Sequence, residues 1–356
     1  MNQSALMTMP NKIMSVPVGL SVISDYMPES RQSNSFCKKE YIMPKHCFKI
    51  HNTISMRSHK LSDMIIHCIS AGFFKRQKGC HLLNIVKTYK KEGKTIALVP
   101  TMGCLHNGHK SLMEKAHSVA DVTIISIFVN PIQFCPGEDY DKYPRTLDAD
   151  KEVAQSAGVD VIFAPSVNEM YPQLQKFSDL TMVVPPYELT DIMCGKSRVG
   201  HFDGVETVVT KLFNIVQPDY ACFGMKDIQQ LFLIKKMVKD LNFPIEIIPC
   251  PLVREDSGLA LSSRNKYLSD EQKSAALTIS KSLFAIEQMY KAGVKDTKKL
   301  FDTGLTNLDK NVELEYLEFV DEDSFKQTDI VQKNTICSIA AKVGQVRLID
   351  NIILEV

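Results

Sequence analysis

The chain carries almost no net charge, has no long hydrophobic run, and lacks the cysteine and glycine signatures of the commonest metal, redox and dinucleotide sites. A formal net charge of +1 gives no electrostatic case for a nucleic-acid or membrane partner. The longest apolar stretches, such as Val122–Val129, fall well short of a membrane span. The opening residues lack the charged-then-apolar layout of a secretory signal. Ten cysteines are present, but no C-x-x-C pair occurs and their spacing is irregular. Several, including Cys222 and Cys250, lie in apolar stretches where a thiol behaves as a small hydrophobe, so a reduced, cytoplasmic setting is expected. No G-x-G-x-x-G occurs, which argues against a dehydrogenase. Cys194-Gly-Lys-Ser197 resembles the end of a phosphate-binding loop, yet Thr190 stands where the first glycine is required. His51, His59 and His67 have no metal-ligand spacing and read as surface residues.

What is present is a chain of ordinary globular composition, 44% hydrophobic and 23% charged, and long enough for two domains with a full core. Residues 1–78 stand apart: they are rich in Ser, Met, Lys and His, poor in acidic residues, and show no sustained periodicity. They are expected to form a disordered or loosely attached extension, with one short helix over Met56–Phe74. A basic, acid-poor leader is also what an organellar transit peptide looks like, but arginine is sparse here.

From 79 to 252 strands and helices alternate. Strands are expected at Thr95–Pro100, Val122–Val129, Val159–Ala164, Asp219–Phe223 and Ile245–Cys250. Helices are expected at Gly108–Ala120, Leu147–Ala157, Gly204–Val216 and Asp227–Leu241. In the third of these Val205, Val208, Val209, Leu212, Phe213 and Val216 share one face. The pattern predicts an α/β fold, a Rossmann-like parallel sheet with helices on both faces, whose ligands bind beyond the carboxyl ends of its strands. Residues 253–356 predict a smaller C-terminal α+β lid domain. Its helices are expected near Asp270–Ala292 and Thr297–Leu308, and its strands at Glu313–Phe319, Asn334–Ala340 and Val346–Ile349.

Four segments carry candidate chemistry. Thr95–Pro100 reads as a strand running into a glycine turn, after which His106-x-Gly108-His109 opens a helix. A helix start presents unpaired N–H groups and partial positive charge, so two imidazoles and a glycine there make a compact polyphosphate site. A lone histidine in such a turn is usually a packing residue, whereas a pair at this spacing points to chemistry. The second segment is Gly224-Met-Lys-Asp227, between a strand and a helix. Lys226 would neutralise phosphate there, and Asp227 reads either as an N-cap or as an acceptor for a ribose. In the third, Leu261-Ser-Ser-Arg264, two hydroxyls and a forked guanidinium suit a polyphosphate. The fourth is the strand end carrying Asn130 and Gln133, whose amides can fix a small polar substrate. These residues alone point to a polyphosphate site beside a small polar substrate.

Seven stretches, taken in order and spacing, resemble the pantoate–β-alanine ligase family, within the H-x-G-H nucleotidyltransferase superfamily. They are VPTMGCLHNGH (99–109), SIFVNPIQF (126–134), YPRTLDAD (143–150), RVGHFDGVETVVTKLFNIVQPD (198–219), CFGMKDIQQLFLIKKMV (222–238), SGLALSSRN (257–265) and VRLIDN (346–351). The resemblance runs from about residue 81 to the C-terminus. It implies that ATP and (R)-pantoate form pantoyl adenylate and diphosphate, with Mg2+ accompanying the ATP, and that β-alanine then displaces AMP to give pantothenate. By matching position, Met102, Gly103, Cys104, Leu105, His106, Asn107, Gly108 and His109 would line the ATP site, with His109 as proton donor. Gly224, Met225, Lys226, Asp227, Val253, Leu261, Ser262, Ser263 and Arg264 would join them. His106, His109, Lys226 and Arg264 would be the catalytic groups, while Gln133 and Gln230, beside Asn130, would hold pantoate and receive β-alanine. The resemblance also implies a homodimer. The chain departs from the family pattern at Met225 (usually Glu or Gln), Asn107 (usually acidic) and Val199 (frequently Pro). Ala149 leaves an acidic pair beside Asp150 incomplete, so no protein ligand for a metal is assigned.

Overall fold

The computed structural model describes residues 78–172, 174 and 179–355. The expected extension over 1–78, its short helix and the three scattered histidines lie outside the described residues, apart from Lys78 itself. The first element, α1 (Lys78–Lys91), was not expected. Its Leu82 and Val86 enter the main core, with Ile85 and Tyr89 packed beside them, a helical spacing that anchors the start of the folded region.

The N-terminal layer follows as β1 (Ile96–Thr101), α2 (Asn107–Val119), β2 (Val122–Ile127), α3 (Leu147–Ser156), β3 (Val161–Phe163) and three short helices, α4 (Val167–Met170), α5 (Tyr187–Thr190) and α6 (Met193–Ser197). It continues through α7 (His201–Val216), β4 (Tyr220–Gly224), α8 (Ile228–Asp240) and β5 (Glu246–Cys250). The five strands form one sheet in the order β3-β2-β1-β4-β5, and every neighbouring pair is parallel. Alternation along β1 sends Ile96 and Leu98 into one core, with residues of α1, α7 and α8. Ala97 and Val99 enter another, against α2 and α3. Both faces are therefore covered, as a parallel sheet requires, and the α/β expectation holds.

The remaining elements are α9 (Asp270–Lys291), α10 (Thr297–Thr306), β6 (Val312–Asp321), β7 (Thr335–Val343) and β8 (Val346–Leu354). The strands form an antiparallel meander in the order β6-β7-β8. Packed on it, α9 and α10 make a second core around Ile279, Leu283, Ile286 and Leu300. Strand β8 runs five residues beyond the expected Ile349, because Ile353 and Leu354 still pair with Ile336 and Thr335. No helix among the described residues is long and apolar enough to cross a membrane.

Strand order decides where a ligand can sit. β1 is followed by a connection toward β2 on one side, and its other neighbour β4 runs on to β5, so the sheet changes winding direction between β1 and β4. That crevice, at the carboxyl ends of the two strands, is the usual ligand position in open parallel sheets. His106 and His109 follow the turn after β1, and Met225–Asp227 lies just beyond Gly224, the last residue of β4.

Candidate active site

The turn after β1 is held by groups that the motif itself does not contain. Gly103 adopts φ +82, and a Cβ there would meet the Asp150 carboxylate and the Ile127 side chain, each at 2.9 Å, so only glycine fits. Asp150 is buried at the start of α3 and accepts N–H bonds from Cys104 (3.1 Å) and Leu105 (2.8 Å) and a hydroxyl bond from Thr146 (3.1 Å). The Asp150 carboxylate thus clamps the histidine-bearing turn. Ala149 beside it offers no donor atom, and no group of three or more His, Cys, Asp or Glu suited to a metal occurs among the described residues. The described residues therefore include no set of three or more such ligands for a resident metal ion.

At the start of α2 the histidines hold each other. The Gly108 N–H donates to His106 Nδ1 (3.1 Å), and the His106 N–H donates to His109 Nδ1 (3.3 Å). With both Nδ1 atoms accepting, each neutral ring keeps its proton on Nε2. The ring centroids are 4.0 Å apart. Burial, and then the charge of Lys226, lowers the His106 pKa to about 4. Burial, then His106 and Lys226, lowers that of His109 to about 3. Near neutral pH both are uncharged N–H donors. In this state His109 can donate a hydrogen bond from Nε2.

A second network fixes the strand-end amides. The Asn130 side-chain amide donates to Gln133 Oε1 (2.9 Å) and to the Gly204 carbonyl (3.1 Å), while its Oδ1 accepts from Tyr171 (2.8 Å). Asn130 is fully engaged and acts as a support for Gln133. Gln133 presents its NH2 group, which lies 3.3 Å from Met102 Sδ, as the donor toward the cavity. The Gln133 carbonyl accepts from His201 Nδ1–H (2.7 Å), and His201 Nε2 accepts from Arg198 (2.8 Å). Arg198 is in turn paired with both oxygens of Glu138 (2.6 and 2.7 Å). Burial, then the Arg198 charge, lowers the His201 pKa to about 3. Sequence reasoning assigned no role to Glu138, Arg198 or His201; the only signal was a basic residue and a histidine three apart at the start of the amphipathic α7.

The cavity between these groups has a volume of about 250 Å³. Met102, His106, Gly108, His109, Asn130, Gln133, Gly224, Lys226, Asp227, Gln230, Val253, Leu261, Ser262, Ser263 and Arg264 all line it. Gly103, Cys104, Leu105, Asn107 and Met225 do not. The first four shape the turn and helix start, and Met225 faces a separate recess beside Phe232 and Lys235. Asp227 occupies the N-cap position of α8, as expected, but makes no side-chain capping bond, and it lines the cavity. Gln229, next to Gln230, turns the other way and binds the backbone of Leu189, Ile192 and Gly195. The cavity joins a cleft of about 870 Å³ toward the C-terminal sheet, with Arg198, Lys226, Gln230 and Arg264 common to both.

Arg264 is not idle in this state. It makes a two-pronged ion pair with Asp139 (3.0 and 2.9 Å) and lies over the Tyr143 ring, and Tyr143 reaches Ser263 (3.3 Å). The segment 134–146, whose Phe134 and Tyr143 line the cavity, is thereby fastened to the Ser263–Arg264 loop.

The three lowered histidine pKa values give stability a sign with pH. Each folded value lies below the ordinary 6.5, so the unfolded chain binds more protons between about pH 6.5 and 4. Stability is full above that window and is lost as pH falls through it. The thermal midpoint is therefore expected to drop on acidification from about pH 7 to 5. The ring nitrogens of His106, His109 and His201 should keep neutral NMR signatures over the same range. Imidazolium signals from these rings at pH 6 would contradict the assignment.

The chain is similar to known proteins over most of its length. A family model described as pantoate-beta-alanine ligase matches residues 77–353. A pantothenate synthetase of Caldicellulosiruptor saccharolyticus is 53% identical over 275 residues, covering 77% of this chain and 96% of that protein. One from Acetivibrio thermocellus is 50% identical over 274 residues, covering 76% and 96%. Among solved structures, pantothenate synthetase from Thermus thermophilus aligns with a TM-score of 0.74 at 38% identity, over 78% of this chain and 98% of that one. Pantoate-beta-alanine ligase from Francisella tularensis, complexed with beta-gamma ATP and beta-alanine, aligns with a TM-score of 0.64 at 38% identity, over 78% and 97%.

Proposed function

The chain belongs to the pantoate–β-alanine ligase family, and on that premise we propose how its residues carry the reaction. It is an ATP-dependent enzyme that condenses pantoate with β-alanine to pantothenate. In the proposed route the pantoate carboxylate attacks the α-phosphorus of ATP, diphosphate leaves, and the β-alanine amine then displaces AMP from the acyl carbon. The observation that carries it is the convergence of two neutral imidazole donors, an ammonium and a pair of amides on one cavity at the β1/β4 crevice.

Attack on the α-phosphorus loads negative charge onto its equatorial oxygens and onto the departing diphosphate, so positioning and electrostatic stabilisation carry the rate. His106 and His109 offer Nε2–H groups preset by their Nδ1 bonds, and Lys226 and Arg264 offer permanent charge. For Arg264 to reach phosphate, the Asp139 carboxylate has to share or release the guanidinium. Ser262, Ser263, Leu261 and Val253 would border the nucleotide from the other side. Gln133 and Gln230 would fix the pantoate oxygens in line with the α-phosphorus. Magnesium, in this proposal, arrives as the counter-ion of ATP; small divalent ions of this kind are commonly bound through substrate phosphates and water. An acyl adenylate hydrolyses, so the segment 134–146 and the domain from 253 to 356 are proposed to shield it as a lid over the 79–252 layer.

Gln133→Ala is expected to raise the KM for pantoate with little change in ATP affinity, because only the carboxylate-side donor is lost. A defect confined to ATP would contradict this placement. The reaction class is tested by an AMP-release assay with each substrate omitted in turn. AMP in one-to-one ratio with pantothenate, and only with all three substrates, is the expected result, whereas a product that retains the nucleotidyl group would identify a nucleotidyltransferase.

We further propose a homodimer, supported by the family resemblance and by the exposed apolar side chains of Val184, Tyr187 and Val199. Light scattering at twice the chain mass tests it. A cytoplasmic location is proposed from the free thiols of Cys104, Cys135, Cys194, Cys222, Cys250 and Cys337, to be checked by cell fractionation.

A further inference from the structure

The VRLIDN stretch at the end of the chain lies on β8, outside the cavity lining, and has no part in the reaction as described above. Its side chains reach back to the ATP-facing loops. Asn351 is 6% exposed, and its amide group donates to two successive carbonyls, those of Met225 and Lys226, each at 2.9 Å. Asp350 accepts the Asn351 N–H at 2.7 Å and binds both ends of the Arg254 guanidinium, at 2.6 and 2.9 Å. Arg254 also donates to the Gly258 carbonyl and bridges to Ala260, directly before Leu261. One dipeptide in the C-terminal sheet therefore ties down both the turn that bears Lys226 and the hairpin that leads into Leu261–Arg264.

We propose that Asn351 is a positioning residue for ATP: by holding the Met225 and Lys226 carbonyls it sets the backbone from which the Lys226 ammonium meets the phosphates. This rests on the reading of Lys226 as a phosphate-binding group. The need is physical. Residues Met225–Asp227 form a single 3-10 turn between β4 and α8, a short element with poor hydrogen-bond geometry of its own. A lysine side chain has four rotatable bonds, so fixing its root limits where its charge can go. Both amide hydrogens of Asn351 are used, and among the described residues no other side chain donates to these two carbonyls. The arrangement also places the last strand of the C-terminal domain in contact with the nucleotide site, so movement of that domain would carry Lys226 with it.

The test is equilibrium binding of ATP to four full-length proteins: wild type, Asn351→Ala, Lys226→Ala and the double variant. Asn351→Ala is expected to weaken ATP about tenfold, within the range for displacing a positioned charged group by a fraction of an ångström. In the Lys226→Ala background the same change should move the Kd by less than about twofold, because the group it positions is gone. Asn351→Asp keeps the side-chain shape but cannot donate, and should also weaken ATP; it carries the test should the alanine variant fail to fold. An equal loss from Asn351→Ala in both backgrounds would mean a merely structural role and overturn the proposal. So would unchanged ATP affinity in the Asn351 variants. If Lys226→Ala alone leaves ATP affinity intact, the reading of Lys226 fails instead.

Discussion

His109→Ala is expected to lower turnover by about two to four orders of magnitude, the range for removing one preorganised donor from a charge-developing transition state. The imidazole is buried, its Nδ1 is committed to the His106 N–H, and its Nε2–H therefore has one fixed direction. Such a donor costs no reorganisation when charge appears on the phosphate oxygens. ATP binding in the ground state should weaken far less, since Lys226 and Arg264 remain. The loss should also be flat with pH between about 6 and 9, because a ring with pKa about 3 is neutral throughout. Steady-state kinetics over that range check both statements. Turnover within a factor of about five of wild type would remove His109 from the mechanism.

Gly204→Ala is expected to have the largest effect of any single methyl group added near the site. Gly204 lies in the first turn of α7, against the 3-10 turn Pro131–Gln133. A Cβ there would drive into the Ile132 carbonyl and come within 2.7 Å of Gln133 Cα. The obstacle is backbone, so no side-chain rotation relieves it. Overpacking of this kind costs about 1–3 kcal/mol, against a gain of at most about 1 kcal/mol from the better helix propensity of alanine. The relief available is a shift of the turn away from α7, which stretches the Asn130 bond to the Gly204 carbonyl and moves Gln133. A displacement near 1 Å in a positioning group can cost about a hundredfold. The expected result is a lower unfolding midpoint together with a loss in kcat/KM for pantoate of about that size. Unchanged stability and pantoate kinetics would show that the turn yields to the methyl group without disturbing Gln133.

Local features of the site were legible in the sequence, and distant ones were not. The strand–turn–helix carrying His106 and His109 follows from an apolar run, a glycine and a helix start, all close together in the chain. The parallel sheet follows from alternation, and its β1/β4 crevice from the general rule for such sheets. Helix α7 begins at His201 and not at Gly204, because the apolar repeat starts only at Val205 while the first turn carries the Gln133 contact. Helix α1 escaped notice because its repeat of Leu82, Ile85, Val86 and Tyr89 adjoins a segment without pattern. Asp227 takes the N-cap position that its residue type suggests, yet the sequence does not reveal that its carboxylate makes no capping bond and lines the cavity. The pairs that set the site's geometry join residues far apart: Asp139 with Arg264 across 125 positions, and Asn351 with Met225 across 126. No periodicity or local motif encodes such a pairing. It arises only when the C-terminal sheet is brought against the β4–α8 turn.

The most direct test is a single-turnover measurement of diphosphate release from ATP, with pantoate present and β-alanine withheld. One equivalent of diphosphate per active site should appear rapidly in the wild type, with AMP held as the acyl adenylate until β-alanine is added. The same burst should be slowed by orders of magnitude in His109→Ala. Diphosphate release that does not depend on pantoate, or that waits for β-alanine, would contradict carboxylate attack on ATP at this cavity.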